Sequence, residues 1–205
     1  MGSVISATTA ASASFLGLPK TFVLVMVGLD DAGKTSLVSR LKRRELPRGV
    51  LPTTITTIGC TIETIPYGRH SVTIWEFGGM ERVRCLWRRY FWHAHAFIFL
   101  LDAAAPARFP EAKEELLRLL DGIYYSYPVL VLANKIDLPS AVELRTIEDA
   151  LSIPELVRGG KIALKGVSAM TGEGINEALE WFVANISHDS IAKINEGKKH
   201  VIQAW

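Results

Sequence analysis

The chain has 205 residues but only two cysteines, Cys60 and Cys85, and no C-x-x-C pair. That argues against a disulfide scaffold and a zinc site, and fits a reduced, intracellular protein. Net charge is scarce too: +2 is too small to argue for nucleic acid as a partner. Long apolar runs are missing. The best, 96–101 and 129–133, are strand-length, well short of the roughly 20 residues a membrane-spanning helix needs. Residues 1–19 contain no lysine or arginine, whereas a secretory leader wants a positive start and a longer apolar core. His93 and His95 alternate beside aromatic residues, and such lone histidines are more often structural or surface groups than metal ligands.

What is present starts at Gly28-Leu29-Asp30-Asp31-Ala32-Gly33-Lys34-Thr35. This fits G-x-x-x-x-G-K-[ST], a phosphate-binding loop. An apolar run at 22–27 precedes it, as a buried parallel strand would. Apolar residues at helical spacing follow it. Backbone N–H groups of the loop and of the helix start both point at an anion. The cradle is expected from Asp30, Ala32, Gly33, Lys34, Thr35 and Ser36. Lys34 reaches the phosphates and the Thr35 hydroxyl ligates Mg²⁺.

Periodicity places strands at 22–27, 60–66, 71–76, 96–101, 129–133 and 162–167, and helices at 34–43, 108–121, 142–151 and 175–186. The short loop 67–70 makes 60–76 an antiparallel hairpin. The other strands are separated by helices and should be parallel. The expectation is therefore an α/β domain with a mostly parallel six-stranded sheet, one antiparallel edge and helices on both faces. Ligands of such sheets sit at the carboxyl ends of the strands. Segments 44–59 and 77–86 lack clear periodicity and read as mobile loops. Residues 187–205 read as a short helix or a disordered tail.

Asn134-Lys135-Ile136-Asp137 follows a buried strand. An aspartate there can accept from both N1–H and the exocyclic amine of guanine, a pair that adenine does not offer. The Lys135 stem can cover the base, and Asn134 can tie this loop to the phosphate loop. Ser168 and Ala169 follow the last strand. The Ala169 N–H is a candidate donor to the guanine carbonyl, while Ser168 reads equally as a turn or cap serine. A threonine from 53–57 is expected at the Mg²⁺ and γ-phosphate, and the motif alone does not choose which. Glycines 78 and 79, after the strand ending near Glu76, let a backbone N–H approach the γ-phosphate.

With these motifs in hand, the chain resembles the Arf/Arl family of small GTP-binding proteins. The likeness covers about residues 20–186. It rests on G-L-D-x-A-G-K-T (28–35), T-I-G-x-x-x-E-T (57–64), W-x-x-G-G (75–79), L-W-R-x-Y-F (86–91), A-N-K-x-D-L-P (133–139) and S-A-x-T-G-E-G (168–174). The resemblance implies a P-loop small G domain at 20–186, flanked by an extension at 1–19 and a tail at 187–205. It implies a GTP/GDP-dependent switch with Mg²⁺ on Thr35, on Thr57 and, through water, on Glu76. Thr57 becomes the switch I threonine, Gly79 the switch II contact to the γ-phosphate, and 58–76 an interswitch that slides between nucleotide states. Effector proteins are expected on switch I, interswitch and switch II, with an exchange factor and a GTPase-activating protein as further partners. Trp75 and Tyr90 match two effector-facing aromatic positions, with plain core packing an equal reading. Arg82, Arg84, Arg88 and Arg89 fall in switch II, either to meet an acidic partner or phosphate or simply to face solvent.

Departures from the family pattern matter as much. Met80 stands where the family usually has the glutamine that orients the attacking water. A thioether donates no hydrogen bond, so a loss on the order of 10²–10³ in hydrolysis rate is expected. Whether the protein is an active GTPase is thus open. Glu76 replaces an aspartate, and one added methylene moves the carboxylate by about 1.5 Å. Cys60 removes an aromatic from the effector-facing set. Thr56 replaces the usual proline. Met1-Gly2-Ser3-Val4-Ile5-Ser6 fits the N-myristoylation signal at Gly2, though Met-Gly-Ser is also a common cloning remnant. One acyl chain gives only reversible membrane contact, so a cytoplasmic protein peripheral on an intracellular membrane is expected. The alternatives are a pseudo-GTPase scaffold locked in one nucleotide state and a small-molecule P-loop kinase. Asn134–Asp137 and the lack of a lid with clustered arginines argue against the kinase.

Overall fold

The structure, a computed structural model, describes residues 21–42, 57, 59–68, 70–123, 127–157 and 161–186. Gly2, Thr53, Thr54, Thr56, Ile58, Arg69 and the tail lie outside the described residues.

Six strands form one sheet: β1 (Thr21–Gly28), β2 (Cys60–Tyr67), β3 (His70–Phe77), β4 (Ala96–Asp102), β5 (Val129–Asn134) and β6 (Ile162–Gly166), in the order β2-β3-β1-β4-β5-β6. Only the β2–β3 pair is antiparallel. Edge and direction agree with the α/β expectation.

The central strands are apolar on both sides because helices cover both faces. Along β1 and β4, Val25, Val27, Phe97, Phe99 and Leu101 point to one cluster, while Leu24, Met26, Ile98 and Leu100 point to the other. This is the two-residue period of a pleated strand, filled with apolar side chains in both phases. The first cluster is closed by α3 (Phe109–Gly122), α4 (Leu144–Ala150) and α5 (Ile153–Val157); the second by α1 (Lys34–Lys42) and α6 (Ile175–Asn185).

The stretch expected to be an irregular loop at 77–86 contains α2 (Glu81–Arg84), one helical turn, and a 3₁₀ helix runs over Trp87–His93. Both are too short or too tightly wound to show a 3.6-residue period. His95 is a structural histidine: Val23 N–H donates to its Nδ1 at 2.8 Å, fastening β1 to the start of β4. His93 stacks on Trp75 at 5.1 Å. No group of three or more His, Cys, Asp or Glu side chains suited to a metal occurs among the described residues.

Candidate functional site

At the carboxyl ends of β1 and β3 a cavity of about 310 Å³ opens, lined by Asp30, Asp31, Gly33, Lys34, Thr35, Ser36, Thr57, Glu76, Gly79 and Lys135. Eight of these ten were singled out in the sequence for the phosphate, switch and metal positions. Asp31, missed there, takes a positive φ of 59° in the loop; Lys135 was expected at the base.

Local chemistry explains the loop. Gly33 has φ +88°, and a Cβ there would overlap Asn134 Nδ2. Lys34 Nζ donates to the carbonyls of Gly28 (3.0 Å) and Leu29 (2.7 Å). An ammonium has three donors, so one is left for an anion in the cavity. Burial lowers the Lys34 ammonium to about 8, partly offset by nearby Glu76 and Asp30. On the opposite wall, a Cβ on Gly79 would overlap Asp30 N, Leu29 C and Gly28 O. Only glycine allows the switch II backbone to lie directly on the phosphate loop.

A second cluster lies where α1 begins. Thr35 Oγ1 sits 3.1 Å from Thr57 Oγ1 and donates to Glu76 Oε1, which is 3.4 Å from Thr57 Oγ1. Glu76 Oε2 accepts from the Thr61 hydroxyl at 3.2 Å. Glu76 is only 2% exposed. The Glu76 side chain reaches toward both hydroxyls itself. Gly78 N–H donates to Gly59 O at 2.9 Å, so the start of β2 and the end of β3 close over this cluster.

At the other end, Asn134 Nδ2 donates to Ala32 O (2.9 Å), and Asn134 Oδ1 accepts from Ala169 N–H (3.0 Å). One buried amide thus joins three loops, as expected for its phosphate-loop half. The Ala169 N–H expected for a guanine carbonyl is committed to Asn134 here. Ser168 is buried and its hydroxyl accepts from Thr171 N–H at 2.9 Å, which is the turn-serine geometry. Arg40, reaching from α1, donates to Ala169 O at 2.9 Å and also to Met170 O. Lys135 Nζ is held by Asp102 Oδ2 at 2.6 Å, which lays its stem along the cavity wall. Asp137 is exposed, outside the cavity lining.

Arg84 corrects the reading of the switch II arginines. It is buried and spent internally, on Gly79 O (2.7 Å), Glu111 (2.7 Å) and Glu115 (3.3 Å). Arg88 pairs with Asp121 at the surface, and Arg82 and Arg89 are exposed. Asp30 meets Arg108 at 2.8 Å. Burial pushes the Asp30 carboxyl up, but Arg108 and Arg84 more than offset this and hold it below the usual range. Met80 leads into α2, is 38% exposed and is not among the residues that line the cavity. Trp75 and Tyr90 pack edge to face at 6.0 Å, with Tyr90 36% exposed, so the pair both packs and faces solvent.

Residues 9–186 match the sequence model of the ADP-ribosylation factor family. The chain belongs to that family. It is also similar to the solved Arl6 BBS3 small GTPase from Trypanosoma brucei, which carries the bound nucleotide analogue GppNp. Identity is 25%, the TM-score is 0.72, and the match covers 81% of this chain and 97% of that one. Members of the ADP-ribosylation factor family are small GTP-binding switches that work with effectors, exchange factors and GTPase-activating proteins. Their ligand, a guanine nucleotide with Mg²⁺, fits the donor set here. Two hydroxyls and a carboxylate are the hard oxygens Mg²⁺ prefers.

Proposed function

We propose that this Arf-family chain, with residues 20–186 as its G domain, is a guanine-nucleotide switch that binds effectors in its GTP form and hydrolyses GTP very slowly unaided. The observation that carries the guanine reading is the Asn134 side chain, bonded at once to Ala32 O and Ala169 N–H. It fixes the loop bearing Lys135 and Asp137 relative to the phosphate loop. A base held by Asp137 and phosphates held by Lys34 then belong to one ligand.

Lys34 and the amides of the loop bind the phosphates. Thr35, Thr57 and Glu76 would hold Mg²⁺, which when bound neutralises charge on the phosphate oxygens. The Gly79 amide lies against the loop where the terminal phosphate would end. Water attack then needs a group to orient it, and Met80 has no hydrogen to donate. Glutamine at the same place supplies that group in most relatives. A helper protein supplying a group in trans would restore turnover.

Effector binding is assigned to the exposed face around Trp75, Tyr90 and Ile62. Cys60 offers no aromatic there, which implies partners unlike those of a typical Arf. Membrane contact is assigned to acylation of Gly2, and no helix among the described residues is long and apolar enough to cross a membrane. An unmodified Gly2 in the mass of protein from a myristoylating host would end that part of the proposal.

The deciding experiment is identification of the nucleotide in freshly purified protein, followed by single-turnover hydrolysis with and without Met80→Gln. Retained GTP and a roughly 10²–10³-fold faster variant are expected. Turnover of the unaltered protein at the pace of glutamine-bearing relatives would refute slow hydrolysis. Absence of any nucleotide would favour a scaffold instead.

A further inference from the structure

We propose that Thr61 is a positioning residue for the cation end of the site: its hydroxyl holds the Glu76 carboxylate against the two threonine hydroxyls that would carry Mg²⁺. This rests on the reading of the cavity as a Mg²⁺–nucleotide site.

Glu76 has one more rotatable bond than the aspartate usual at this position. Left alone, its carboxylate could swing out of reach of Thr35 and Thr57. Thr61 lies opposite Glu76 in the β2–β3 ladder. Both point to the face that α1 covers, since Ile65, Val72 and Ile74, an even number of residues away, pack with α1. The Thr61 hydroxyl donates to Oε2 at 3.2 Å, and the other oxygen, Oε1, meets Thr35 and lies 3.4 Å from Thr57 Oγ1. Each oxygen therefore has its own task. A group that orients a metal-holding carboxylate is commonly worth roughly 10–100-fold in metal affinity.

The clamp works in one register only. The smallest slip of β2 that keeps the same face inward is two residues. It would put Gly59 or Glu63 opposite Glu76. Glycine has no hydroxyl, and glutamate would bring a like charge. Glu63 is in any case paired with Lys42 at 2.8 Å. Cation binding and the position of β2 are thus coupled through Thr61.

The test uses the full chain loaded with a fluorescent, non-hydrolysable guanosine triphosphate analogue, whose release is timed while free Mg²⁺ is varied. Thr61→Val keeps the shape and suits a strand; Thr61→Ser keeps the hydroxyl. Thr61→Val is expected to need roughly 10–100-fold more Mg²⁺ for half-maximal retention, and Thr61→Ser to behave as the unaltered chain. With excess chelator all three should release at one rate. The proposal is overturned if Thr61→Val keeps the unaltered midpoint, if Thr61→Ser shifts as far as Thr61→Val, or if Thr61→Val releases faster in chelator too. If the unaltered chain binds no guanine nucleotide, or retains it equally at all Mg²⁺ levels, the site reading itself fails and takes this proposal with it.

Discussion

Lys34 is a buried cation whose two bonds go to carbonyls, so its charge waits for an anion. Burial holds the free protein's Lys34 near 8, against 10.5 for an ordinary lysine. Between these values the unfolded chain binds more protons than the folded one. Stability of the ligand-free protein therefore rises as pH climbs from about 8 toward 10.5. Ligand binding runs the other way. A phosphate needs the charged ammonium, so affinity should hold up to about pH 8 and then fall by up to roughly tenfold per pH unit. Fluorescent nucleotide titrations between pH 7 and 9, before the base itself ionises, would read this. A flat profile would show that the ammonium is not at the phosphates. Thr61 teaches a related lesson at this scale. No sequence motif singles it out, because its meaning depends on which residue the hairpin places opposite.

Among elements, α2 carries the most information that the sequence hid. A single turn has no period to detect, and its four residues read as loop. Yet Arg84 hangs from that turn into α3, joining Gly79 O to Glu111 and Glu115. Arg84 also meets Asp30, and Arg108 meets both Asp30 and Glu111, so the same network reaches the phosphate loop. Four arginines at 82–89 look alike in sequence, and only packing shows that one is internal. Arg84→Gln should destabilise the protein by about 1–3 kcal/mol, because Gly79 O and Glu115 lose a buried charged donor, while Arg118 still attends Glu115. The same change at Arg88, whose pair with Asp121 is open to water, should fall within about 0.5 kcal/mol of neutral. Urea unfolding of both variants measures the contrast. Equal effects would mean that Arg84 is not the link between switch II and α3.

Across the whole molecule, what was legible followed a simple division. Strand positions, the hairpin edge, the phosphate loop and the Asn134–Asp137 segment are written locally, in periodicity or in contiguous motifs. Contacts such as Arg40 to Ala169, Asp102 to Lys135 and Thr61 to Glu76 join distant segments and exist only after the sheet aligns its loops. The base end of the site is the place to test whether that alignment selects guanine. Asp137 is exposed with no partner among the described residues, so both oxygens are free for the ring N1–H and the exocyclic amine. Hypoxanthine keeps the first donor and lacks the second. In a dry pocket a lost partner can cost 10⁴-fold or more. Here water can reach the released oxygen, so the preference for GDP over inosine diphosphate should be only about tenfold, the low end for a hydrogen bond to a charged group. Asp137→Ala should weaken both ligands and bring their ratio close to one, while Asn134 keeps the loops in place. Competition titrations of the two diphosphates against a fluorescent nucleotide read both ratios. Equal affinities in the unaltered protein would mean that Asp137 does not read the base.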